Sequence, residues 1–236
     1  MKILIASDSY VFQLGGVANA VLALVDGLEK NGHEVKVLAP ANCWKSYRDG
    51  INYFMKSIPS ITYPDQRICP IRHDPLLNEL EAWHPDIVHS QQEGDMSRLA
   101  RAITRKLDIP VVMTCHTDYA YFVFGRIFKD VFPIGELMSV WGRIAYNDAA
   151  VITVPSVKGS NYHQLKLLKN RVVVIPNGGH AEKYNKKLSE EDRKELYKKH
   201  QLRDNGKTLV IISRLSREKN IDEIINYFPA LLKKQP

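Results

Sequence analysis

The sequence predicts an α/β fold: a mostly parallel sheet covered by helices on both faces. Three observations predict it. Short β-branched runs such as Lys2–Ala6 are continuously apolar rather than alternating, as strands buried on both faces are. Stretches with helical spacing lie between most of those runs, and alternating β and α segments build open parallel sheets. The first unit closes within about 40 residues, which suits a right-handed β-α-β crossover of the Rossmann-like kind.

Along the chain, Lys2–Ala6 (KILIA) is the first strand. Val17, Ala20, Val21, Leu24, Val25 and Leu28 then fall on one helical face, and Asn31-Gly32 supplies the stop before a second strand at Glu34–Ala39. Ile51–Pro75, rich in Pro, Tyr and Arg, reads as an irregular excursion. Further strands are expected at Asp86–His89, Pro110–Cys115, Ala150–Val154 and Arg171–Ile175, with a helix over Met96–Leu107. After Pro176-Asn177-Gly178-Gly179 the chain turns polar, with a helix near Glu190–His200. Thr208–Ser213 (TLVIIS) then reads as a buried strand and Ile221–Leu232 as an amphipathic helix. One strand and one helix leave most of their apolar faces uncovered. The expected organisation is a complete first domain over 1–179, a basic linker over 180–206, and the opening β-α unit of an incomplete second domain over 207–236.

Composition narrows the function. At 44% hydrophobic residues the chain is close to an ordinary globular protein, which excludes overall disorder. Cys43, Cys69 and Cys115 cannot all pair and form no C-x-x-C, so neither a disulfide framework nor a zinc ribbon is expected. No run is long enough for a spanning helix, and the start lacks a signal-peptide core; the expected location is cytoplasmic. Of the net charge of +7, +6 lies in residues 158–200. That stretch is either a solvated linker and helix face or a surface attracted to acidic lipid or another polyanion.

Several residues are candidates for chemistry. Gly15 and Gly16 lie between the first strand and first helix, where backbone N–H groups can receive a phosphate or sugar oxygen. Their spacing is neither a dinucleotide fingerprint nor a P-loop, and a plain turn reads equally well. His116 ends the strand PVVMTC, and the carboxyl end of a parallel strand is where open α/β sheets bind ligands. It is a possible donor, acid or base, or simply a packing residue. His84 and His89 lack the helical i, i+4 placement of a zinc site. Arg214 and Lys219, between the last strand and last helix, suit a diphosphate, although a charged loop paired through Glu218 is the plainer alternative. No Asp-x-Asp is present to hold a metal-diphosphate complex.

Seven short segments, in order, resemble the retaining glycosyltransferases of family 4, which have two Rossmann-like domains (the GT-B fold). They are Ile5–Tyr10, Gly15-Gly16-Val17, Gly32–Val35, His84–His89, Thr114–Tyr119, Val174–Gly178 and Ser213–Ile221. Within the family, the opening and the His-Thr-Asp-Tyr segment are most similar to bacterial enzymes that glucosylate diacylglycerol. The resemblance implies the N-terminal half of a GT-B enzyme moving a hexose from a nucleotide sugar, such as UDP-glucose, to a lipid or glycan acceptor. It implies no metal, no cofactor and no nucleic acid partner.

By that resemblance His116 would contact the transferred sugar at the reaction centre. Gly16, Arg214 and Lys219 would bind the donor diphosphate, and Gly15, Gly16 and Tyr119 would form the acceptor-side loop. Two departures stand out: Gly179-His180 replace the family's usual Ile-Asp after Pro-Asn-Gly, and the resemblance places the family's second-domain Glu-x7-Glu motif beyond these 236 residues. The expectation is therefore a partial enzyme; a non-catalytic acceptor- or membrane-binding subunit is the alternative. Aromatic and basic residues mixed across Tyr119–Tyr146 suit a peripheral contact with anionic lipid at the inner face of the membrane, or equally a buried helix pair.

Overall fold

A computed structural model describes residues 1–13, 15–61, 66–118, 134–169, 171–179, 185, 187–202, 208–213, 215 and 219–234. The first strand, β1 (Lys2–Ala6), lies inside an eight-stranded sheet. It is followed by α1 (Gly16–Lys30), β2 (Glu34–Pro40), a short β3 (Tyr47–Asp49) and β4 (Asn52–Met55). A two-residue ribbon, β5 (Ile58–Pro59) and β6 (Arg67–Ile68), stands apart. The chain then returns through α2 (Pro75–Ala82), β7 (Ile87–Ser90), α3 (Asp95–Leu107), β8 (Val111–Thr114), α4 (Ile134–Tyr146), β9 (Val151–Val154) and β10 (Arg171–Val174). The sheet order is β10-β9-β8-β7-β1-β2-β4-β3, parallel except where β3 pairs antiparallel with β4.

The continuous apolar runs are explained by cover on both faces. In β1, Ile3 and Ile5 pack with Val21 and Val25 of α1, while Leu4 and Ala6 point into the opposite cluster. That second cluster joins Leu80 of α2, Leu99 and Ile103 of α3, and Tyr146 of α4. Burying one such aliphatic side chain stabilises the fold by about 1.5–3 kcal/mol. Helix ends follow local chemistry. Asp74 caps α2 by accepting the Leu76 N–H at 3.1 Å, with Pro75 in the first turn. Asp108 ends α3 in the left-handed region at φ 53°.

Two expectations differ from what is observed. The excursion over Ile51–Pro75 contributes β4 to the main sheet, with Val37↔Asn52 to Pro40↔Met55 in parallel register. Its residues Tyr53, Phe54 and Met55 are buried. Thr208–Ser213 forms no strand, and Leu209, Val210, Ile211 and Ile212 are exposed. A strand needs a neighbour for its N–H and C=O groups, and no strand is assigned among the described residues beyond β10.

The chain divides into two compact units, Met1–Ala181 and Glu182–Pro236. The second contains the helices Glu190–Lys199 and Ile221–Lys234, neither of which buries a residue. Among the described residues no helix is long and apolar enough to cross a membrane.

Candidate active site

The sheet places its crevice by topology. From β1 the chain moves to β2 on one side, and β7 later takes the place on the other side of β1. The order therefore reverses between β1 and β7, and ligands of open α/β sheets bind outside the carboxyl ends of strands at such a point. A cleft of about 400 Å³ lies there. Asp8 enters it from the loop after β1, Gln92, Glu93 and Gly94 from the loop after β7, and Asp95 and Arg98 from the first turns of α3.

Asp8 is held tightly. Its Oδ1 accepts the Met96 N–H at 3.0 Å, supplying the start of α3 with a cap from the loop after β1. Its other oxygen, Oδ2, is buried without a hydrogen-bond partner among the described residues. Burial raises the Asp8 carboxyl to about 6, assisted by neighbouring Asp95 and opposed chiefly by the Met96 N–H. The close approach depends on Gly94: a Cβ there would stand 2.5 Å from Asp8 Oδ2. Asp95 and Arg98 fasten the segment before α2 to this helix. Asp95 accepts the Cys69 N–H at 2.7 Å, and Arg98 donates to the Cys69 and Ile71 carbonyls at 3.0 and 2.9 Å.

His116 follows β8, one strand further along the same sheet end. Its Nε2 is 3.1 Å from Oε1 of Gln91, the first residue after β7. Gln91 is itself pinned, its backbone N–H donating to the Ala6 carbonyl at 2.8 Å. Its side chain is buried, and the carboxamide Nε2 has no partner among the described residues, an omission that costs about 1–3 kcal/mol. Behind it, His89 Nε2 lies 2.7 Å from Thr114 Oγ1, which lies 2.7 Å from Thr153 Oγ1.

Burial lowers both histidines to about 4, His89 also because His116 is near, so both imidazoles are neutral at pH 7. The His116 loop is supported from beneath by buried Gln164, whose Nε2 donates to the Thr117 carbonyl at 2.6 Å. Gln164 sits where Gly142 of α4 lets backbone approach backbone; a Cβ at 142 would overlap the Gln164 carbonyl.

Gly15 and Gly16 lie at the far end of the loop after β1, where it opens α1. Among the described residues no side chain caps this helix start. A Cβ at either glycine would meet nothing within 4 Å among the described residues, so no described neighbour demands glycine there. Lys219 is exposed in the second unit, in a mainly apolar groove with Leu209, Ile224, Tyr227 and Phe228. Arg214 and Tyr119 lie outside the described residues. Among the described residues no cluster of His, Cys, Asp or Glu could hold a metal ion.

The structure thus gathers Gly15, Gly16 and His116 at one end of one sheet and adds Asp8, Gln91, Gly94 and Gln164, which sequence reasoning passed over. Gln91–Gly94 had a signal: they follow a readable strand and precede a readable helix, as His116 follows its own strand. Gln164 had none, since its contact with Thr117 spans 47 residues.

Comparison with known proteins agrees with this architecture. The family model for Glycosyltransferase Family 4 matches residues 14–183. The alpha-monoglucosyldiacylglycerol synthase of Streptococcus pneumoniae is 30% identical over 237 aligned residues, covering 100% of this chain and 54% of the synthase. The synthase of the same name from Acholeplasma laidlawii is 25% identical, covering 100% of this chain and 61% of that protein. The chain therefore spans a little over half the length of these relatives. Sucrose-phosphate synthase from Thermosynechococcus elongatus shares the fold, with a TM-score of 0.62 at 13% identity over 96% of this chain and 59% of that one. With the family model matched across most of the first unit, the chain belongs to glycosyltransferase family 4.

Proposed function

We propose that the protein transfers glucose from UDP-glucose to a diacylglycerol-type lipid, with retention of anomeric configuration. The observation that carries this reading is the end-to-end match of the chain to two alpha-monoglucosyldiacylglycerol synthases. The crevice supports it. The start of α1, which no described side chain caps and over whose Gly15 and Gly16 no described residue packs, offers N–H groups and a helix dipole to an anionic donor and room for an acceptor. His116 contacts the transferred sugar. Arg214 and Lys219 bind the donor diphosphate and stabilise it as it leaves, with no metal and no cofactor. Tyr119 belongs to the acceptor side.

In the front-face mechanism the acceptor hydroxyl oxygen bonds to the anomeric carbon on the face the diphosphate leaves. The departing phosphate oxygen takes the hydroxyl proton. A lipid acceptor requires a membrane surface, and the net charge of +6 over residues 158–200 suits an anionic inner leaflet, with the protein peripheral and cytoplasmic.

The test joins this chain to the carboxy-terminal half of the Streptococcus pneumoniae synthase and measures labelled glucose entering lipid in anionic vesicles containing diacylglycerol. Transfer from UDP-glucose, lowered roughly 10²-fold by Arg214→Ala or Lys219→Ala, is the expected result. A folded chimera that binds the vesicles but transfers from neither UDP-glucose nor GDP-mannose would replace this reading with that of an accessory lipid-binding subunit.

A further inference from the structure

The environment of Gln91 is unusual in two independent ways. Its carboxamide oxygen is 3.1 Å from His116 Nε2. Its carboxamide nitrogen is buried with no partner among the described residues, although the side chain is only 3% exposed. A glutamine kept only for packing would be expected to satisfy both ends. Among the described residues the one side-chain hydrogen bond made is that with the histidine, and the backbone bond from Gln91 to Ala6 anchors it to the central strand.

We infer that Gln91 is a positioning residue: its Oε1 accepts the His116 Nε2–H and fixes the tautomer that turns Nδ1 into a hydrogen-bond acceptor for a hydroxyl of the bound sugar. An amide oxygen accepts and does not donate, so Nε2 must carry the ring proton, and a neutral imidazole has one. Nδ1 is left with its lone pair, and no hydrogen bond to it is present among the described residues. His116 then accepts from the sugar rather than donating to it. The bound hydroxyl in turn directs its own lone pairs elsewhere, and its orientation is set by the tautomer. Only the identity of that hydroxyl as a sugar's rests on the function proposed above; the tautomer is a property of the chain alone.

The test begins without substrate, on the 236-residue chain labelled with ¹⁵N-histidine, by long-range ¹H–¹⁵N correlation at neutral pH. The expected spectrum shows His116 with a protonated Nε2 and a bare Nδ1. Gln91→Glu, which keeps an acceptor, preserves that state, while Gln91→Leu gives a mixture of tautomers. A protonated Nδ1 in the parent chain, or an unchanged spectrum in Gln91→Leu, would overturn the inference even if glucosyl transfer is confirmed.

In the chimera assay Gln91→Leu should lower kcat at least tenfold with KM for the donor within about twofold. Gln91→Glu should recover most of that loss, and in a His116→Ala background Gln91→Leu should cost less than threefold. Equal losses in both backgrounds would reduce Gln91 to a packing residue. Amide dispersion in a spectrum of the uniformly ¹⁵N-labelled variant separates a misfolded variant from a mispositioned histidine.

Discussion

Gly94 carries the most exposed structural demand at the site. The Asp8 carboxylate occupies the space a side chain at 94 would need, and its Oδ1 is already committed to the Met96 N–H. Gly94→Ala should therefore destabilise the first unit by about 1–3 kcal/mol in urea denaturation. The same change in an Asp8→Ala background should cost much less; equal costs would mean that the carboxylate moves aside freely. In the sequence, Asp8 reads only as the polar residue that ends an apolar run. Its role depends on a contact 88 residues away, and no local pattern encodes such a distance. The place of His116 was legible because it follows an apolar strand, β8.

Among the elements, the buried parallel strands were the easiest to read, since cover on both faces leaves an unbroken apolar run such as KILIA or VITV. β4 was not, because Asn52 opens it and the Pro- and Arg-rich segment that follows dominates the local composition. Its place beside β2 is decided by burial of Tyr53, Phe54 and Met55 on a sheet already formed. Thr208–Ser213 shows the converse: strand propensity without a partner strand yields no strand. Helix α4 matters to the site through Gly142, which permits contact with the Gln164 backbone and so holds the His116 loop. Gly142→Ala should lower the stability of the first unit by about 3 kcal/mol, and a denaturation midpoint equal to that of the parent would show that α4 packs otherwise.

At the scale of the molecule, three groups at one end of the sheet set opposing pH dependences. His89 and His116 are lowered to about 4, so the unfolded chain takes their protons first. Their contribution is complete above pH 6.5 and lost as pH falls toward 4. Asp8 is raised to about 6, so its contribution is complete below pH 3.8 and lost as pH rises through 6. Between pH 4 and 6 the two histidines outweigh the one carboxyl, and stability should rise with pH. Asp8→Asn removes the opposing group and should steepen that rise; chemical denaturation at pH 4.5, 5.5 and 7 measures it, and parallel curves for the two proteins would contradict the burial of Asp8.

The central proposal is that the carboxyl end of the sheet where the strand order reverses, with His116 on the neighbouring loop after β8, is where sugar is transferred. The most direct test is the rate of glucose incorporation into diacylglycerol by the chimera carrying His116→Ala, relative to its parent. The account predicts a fall of about 10²-fold with the fold intact. Transfer at the parental rate would contradict it, leaving His116 a packing residue and the reaction centre elsewhere.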